Sequence, residues 1–132
     1  MTTHTAATIS PRSSARRIAY ATLTAALLTA VVAEAIKYGA GYWQIAAFGI
    51  APDLTLFLGA GVGLAKGQLH PRAVGAYNLM HRLWVPLLIL AAAASGLIGL
   101  GFLIGALAWT FHIALDRALG YGLRTPDGFQ RP

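Results

Sequence analysis

The chain has no cysteine in its 132 residues, which excludes disulfides, thiolate metal sites and cysteine nucleophiles together. Charge is scarce as well. Asp, Glu, Lys and Arg supply 11% of the residues, against about 25% in an average soluble domain. The length is about one domain's worth, so a multi-domain enzyme is excluded. No Gly-rich phosphate loop joins a strand-like to a helix-like segment, and no nucleophilic-serine motif occurs. The Glu-x-x-His pairs of a di-iron bundle are missing too.

What the chain has in excess is apolar surface. Hydrophobic residues make up 57% of it, more than a soluble fold of this size can bury. A lipid bilayer is therefore the expected surrounding. The net charge of +6 does not indicate nucleic acid. Arg12, Arg16, Arg17, Lys66, Arg72, Arg124 and Arg131 lie in short polar segments between long apolar runs. A nucleic-acid binder gathers its cations on one face, whereas dispersed basic loops are what a multi-pass protein keeps in the cytoplasm.

The pattern predicts an all-α, four-span transmembrane helical bundle with both termini cytoplasmic, in an inner membrane. Residues 1–15 read as a disordered basic tail, residues 16–124 as the membrane domain and residues 125–132 as a cytoplasmic tail. Spans of about 20 residues fall near 18–37, 42–64, 73–94 and 97–119. Ala33-Glu34-Ala35 resembles a signal-cleavage site, but the preceding apolar run is longer than a signal core and reads as a span. Turns are expected at Gly39-Ala40-Gly41 and Ser95-Gly96, with the basic loop Lys66–Arg72 between the middle spans. With this threading the basic residues named above share one side, opposite Lys37. Gly59-Ala60-Gly61-Val62-Gly63 and the Gly99, Gly101, Gly105 series carry small residues at close spacing. Such faces allow close helix approach within the chain, or else a homo-oligomer.

The spans carry Asp53, Asn78, His81, Arg82, His112, Asp116 and Arg117 into hydrocarbon, where polar groups are costly. At 1.5 Å per residue, Asp53 is expected about 16 Å from the cytoplasmic helix end, Asn78 about 8 Å, His81 about 12 Å, His112 about 10 Å and Asp116 about 5 Å. Asn78 and His81, three apart, share a helix face, as do His112 and Asp116, four apart. Tyr77 stands four before His81 on the same face, and Pro52 frees a backbone carbonyl beside Asp53. Three helices thus deliver polar residues to one depth.

Three functions fit such a cluster. In the first, Asp53, Asn78, His81, Arg82 and Asp116 satisfy one another and fix the helix arrangement. In the second, Asp53, His81, His112 and Asp116 hold a divalent metal. Two imidazoles with two carboxylates suit zinc, manganese or ferrous iron, and such a metal would activate water for hydrolysis. In the third, the same groups line a proton, ion or small-substrate path. Arg82 and Arg117 are the counter-charges in all three. Whether the chain is an enzyme stays open at this level.

Ala51-Pro52-Asp53-Leu54, Tyr77-Asn78-Leu79-Met80-His81 and, above all, the His112-x-x-x-Asp116-Arg117-x-x-Gly120-Tyr121-Gly122-Leu123 stretch resemble the domain-of-unknown-function family 4260. The resemblance covers about residues 18–129. It implies a small, largely helical integral membrane protein, with no activity attached. A looser similarity to inner-membrane metal-dependent hydrolases rests on an Asp in one span, a His in the next and a His-x-x-x-Asp pair later. That is analogy of arrangement alone.

Overall fold

The computed structural model describes residues 11–131; residues 1–10, most of the expected tail, lie outside it. Its helices are α1 (Pro11–Tyr38), α2 (Tyr42–Leu58), α3 (Pro71–Met80), α4 (Trp84–Ala94) and α5 (Leu100–Leu119). Among the described residues no strand forms, only an isolated antiparallel bridge between Arg124 and Gln130. Ser13–Tyr38, Pro71–Ala94 and Leu100–Leu119 are long and apolar enough to cross a membrane. The 17-residue α2 is shorter, about 25 Å at 1.5 Å per residue.

The boundaries differ from expectation for identifiable reasons. Helix α1 starts at Pro11, so residues 11–15 are helical rather than part of a tail. Proline fits a first turn, where its missing N–H has no partner to lose. Helix α2 stops at Leu58 instead of running on to residue 64. Glycines 59, 61 and 63 contribute no side-chain packing to prolong it. Arg72 takes over its last carbonyl and one just beyond it, donating from Nε to Leu58 O (2.9 Å) and from Nη2 to Ala60 O (3.2 Å).

The third expected span is broken at His81–Leu83. Pro86 belongs to the first turn of α4, where a proline is tolerated. A helix continuing through the break would need an N–H at position 86 for Arg82 O. Val85 N–H donates to that carbonyl instead, at 3.1 Å.

Helix α5 is the centre of the bundle and packs against α1, α2 and α4. Ile104, Ala106, Ile113 and Ala114 on it are fully buried. Its glycine face is used inside the chain. A Cβ on Gly105 would lie 2.5 Å from Phe48 Cδ2, and one on Gly101 would collide with Gln44. Gly101 and Gly105 are thus covered by α2, and glycines 59–63, the other expected small-residue face, are not helical.

The segment after α5 folds back over the α2–α3 loop. Gly120 ends the helix at φ +96°. Leu69 N–H donates to Gly128 O (3.0 Å), and Gln68 Nε2 donates to Asp127 O (2.8 Å). Gly128 has φ +96°, and a Cβ there would strike the Leu69 backbone, so glycine is required on both counts.

Candidate metal centre

The proline-containing half of α2, the break before α4 and one face of α5 meet at a single point. Asp53, His81, His112 and Asp116 each offer one ligand atom there, all within 4.8 Å of one another. His81 Nε2 lies 3.5 Å from Asp53 Oδ1 and 3.4 Å from Asp116 Oδ2. His112 Nε2 lies 3.5 and 3.7 Å from the same two oxygens. Because α2 is short, Asp53 stands five residues from its end, about 8 Å deep at 1.5 Å per residue rather than the expected 16 Å.

The imidazole orientations are set by backbone carbonyls. His81 Nδ1 is 2.8 Å from Tyr77 O, and His112 Nδ1 is 2.9 Å from Gly49 O. A carbonyl oxygen only accepts, so each Nδ1 carries the proton and donates. A neutral ring then has its lone pair on Nε2. Both Nε2 atoms are buried and make no hydrogen bond. Lone pairs of two imidazoles and two carboxylates therefore face one another.

Magnitudes separate direct pairing from a shared centre. An imidazolium–carboxylate hydrogen bond spans about 2.7–2.9 Å, and none of the four contacts, at 3.4–3.7 Å, is that short. Tetrahedral coordination with bonds of about 2.0–2.2 Å gives ligand–ligand edges of about 3.3–3.6 Å. Three of the four imidazole–carboxylate distances fall in the second range, and the fourth, His112 Nε2 to Asp116 Oδ2, is 3.7 Å. Nδ1–H donated to a carbonyl is also the usual outer support of a metal-bound imidazole.

Backbone carbonyls near the two proline positions supply that support. Pro52, fully buried within α2, has no N–H for the carbonyl of Phe48. The interruption falls beside Gly49, whose carbonyl receives His112 Nδ1. At the other break, Met80 O and His81 O lose their helical donors, and α5 replaces them. Trp109 Nε1 donates to Met80 O (2.8 Å), and Arg117 Nη2 donates to His81 O (2.9 Å). The Tyr77 ring stacks on His81, with centroids 3.9 Å apart and planes at 19°.

Three expected members are elsewhere. Asn78 donates from Nδ2 to Arg124 O (2.9 Å) and accepts Arg124 N–H at Oδ1 (2.7 Å), so it clamps the C-terminal segment instead of facing the cluster. Arg82 is exposed. Arg117 spends its guanidinium on the carbonyls of His81 and Tyr121. Among the described residues neither arginine forms a close ion pair with a carboxylate. No local pattern points to Trp109, Arg117 and Gly49 as supports; Pro52 and Pro86 mark only the neighbourhood of the carbonyls that are used.

Exposure grades the four groups. The side chains of His81, His112 and Asp116 are 0, 12 and 17% exposed, whereas Asp53 is 50% exposed. Both carboxylates border a cavity of about 290 Å³, lined also by Leu56, Tyr77, Tyr121, Arg124 and Gln130.

A family model described as domain of unknown function, DUF4260, matches residues 18–132. The chain belongs to the DUF4260 family. The matched region includes all four members of the cluster and the segment that roofs the cavity. No curated protein and no solved structure gives a match. The DUF4260 assignment carries no activity, so function has to be argued from the site.

Proposed function

We propose that this DUF4260 protein is a membrane-embedded, metal-dependent hydrolase of the bacterial inner membrane, with four passes and both termini cytoplasmic. The observation that carries it is the convergence of four lone-pair donors within 4.8 Å of one another, with both imidazoles oriented by backbone carbonyls. A structural metal site is closed, whereas a catalytic one keeps a position open. Here the carboxylates open onto a cavity, and Asp53 is the exposed member.

His81, His112 and Asp116 are assigned as ligands, and Asp53 as the group that accepts a proton from the attacking water. Bound zinc, manganese or ferrous iron would supply Lewis acidity and lower the pKa of that water. The protein's own part is to fix the imidazoles, to hold Asp53 at the cavity edge and to keep the rest of the site dry. The four-pass arrangement rests on the loop charges and treats α2 as a short fourth crossing that ends in the Gly-rich loop. Its carboxyl end then lies on the same side as the basic residues of 66–72.

Protein purified without a histidine tag and reconstituted in lipid is the material for the test. Near-stoichiometric metal is expected in wild type and in Asp53→Asn, with hydrolysis of ester substrates lost in Asp53→Asn. Metal retained with no hydrolysis in wild type, across phosphate and carboxylate esters, would reduce the reading to a binding site.

A further inference from the structure

The cavity that the two carboxylates border is lined also by side chains that carry hydrogen-bond donors. Arg124 has no acceptor atom. Its Nη1 donates to Gly67 O (2.9 Å) and Gly128 O (2.8 Å), and its guanidinium carbon sits 5.0 Å from the centroid of the Tyr77 ring. Its Nε is buried and has no hydrogen-bond partner. A buried guanidinium N–H without an acceptor is costly. Gln130 accepts Gly122 N–H at Oε1 (2.9 Å), and its side chain also hydrogen-bonds Tyr77. The hydroxyl-bearing side chains of Tyr77 and Tyr121 complete the polar lining. The anionic acceptors bordering this space are the carboxylates of Asp53 and Asp116, and the metal reading assigns both.

We infer that the group entering this cavity is the phosphoryl group of an ester, held between the metal and Arg124. The inference rests on the metal-dependent hydrolase reading, since without the metal the two carboxylates would repel an anion. A cation on the floor and a guanidinium on the wall are complementary to a tetrahedral oxyanion, and arginine matches phosphate oxygens in geometry as well as charge. The volume of about 290 Å³ is at the lower bound of small-molecule pockets, roughly 300 Å³, so it admits a headgroup and leaves the rest of the ester outside. Beside the cavity residues Asp53 and Leu56, the exposed Leu54, Phe57 and Leu58 of α2 give an alkyl chain an apolar path. In the reaction water adds to phosphorus and the P–O bond to the alcohol breaks. One proton of the water passes to Asp53 and then to the departing alcohol, so the products are the free alcohol and the phosphate.

The test measures binding of inorganic phosphate and of dihexanoyl phosphatidate to metal-loaded wild type and Arg124→Lys, with metal content and thermal stability measured on each sample. Both probes should bind wild type, and both should weaken about tenfold or more in Arg124→Lys, the loss of one charge-assisted hydrogen bond, with metal content unchanged. Tighter binding of the lipid than of inorganic phosphate assigns the source to the bilayer, and equal binding assigns it to a soluble ester; either upholds the phosphoryl assignment. Metal-loaded wild type that binds neither probe overturns the phosphoryl assignment and leaves the metal reading standing. Wild type that takes up no metal overturns the metal reading itself. If Arg124→Lys fails to fold, Gln130→Leu replaces it, and the wild-type binding result decides in any case.

Discussion

Helices α1 and α5 are both long, apolar and able to cross a membrane, yet they do opposite work. In the most apolar stretch of α1, 17% of residues are buried; in that of α5, 44% are. Ile18, Leu28, Val32 and Ile36 of α1 are all at least 48% exposed, which suits contact with lipid tails. The polar atoms of α1 that need partners in hydrocarbon mostly find them within the helix. Thr22, Thr24 and Thr29 each donate to the carbonyl four residues earlier. On α5, Trp109, His112 and Arg117 send their polar groups across to α2 and the α3–α4 break. Apolarity thus says that a helix belongs in a bilayer. The direction of its polar bonds says whether it serves as a wall or as a scaffold.

The largest effect that would sharpen this contrast is loss of the metal. His112→Ala should weaken metal binding at least about 100-fold, more than is typical of losing an outer-shell partner, as read by elemental analysis of the purified protein. Gly105→Ala should come next. The new methyl meets Phe48 and Gln44, and such overpacking costs about 1–3 kcal/mol, seen as a lower thermal midpoint in detergent. Asn78→Ala removes two hydrogen bonds to Arg124, each worth about 0.5–1.5 kcal/mol. Hydrogen exchange and proteolysis at residues 121–131 should accelerate while metal content holds. Smallest of all is Thr24→Val on α1, within about 0.5 kcal/mol of wild type. A large destabilisation there would break the wall-and-scaffold distinction.

Much of this arrangement was legible in the residues. The four-residue spacing of His112 and Asp116, and a turn at Ser95-Gly96, follow from helical periodicity and glycine chemistry alone. So did the meeting of Asp53 and His81 with that pair, because apolar runs of bilayer length restrict where polar groups can lie. The limits were physical too. Asn78 has a face toward the cluster by spacing, but its partner is 46 residues away, and no local pattern encodes that return. Helix α2 was extended through glycines 59–63 because hydropathy counts apolar character, not helix propensity. The break at His81 depends on Pro86, whose proline signal locates an interruption only to within a turn. Arg82 and Arg117 illustrate the remaining gap. Sequence supplies a cation near a carboxylate, while the folded chain gives Arg117 to backbone carbonyls that the break has exposed.

X-ray absorption on untagged protein addresses the central claim most directly. The account predicts one zinc-class ion per chain, bound only through nitrogen and oxygen at about 2.0–2.2 Å, and absent from a folded His81→Ala variant. Protein that contains no metal after purification in its presence, or an ion whose absorption spectrum is unchanged by His81→Ala, would contradict it.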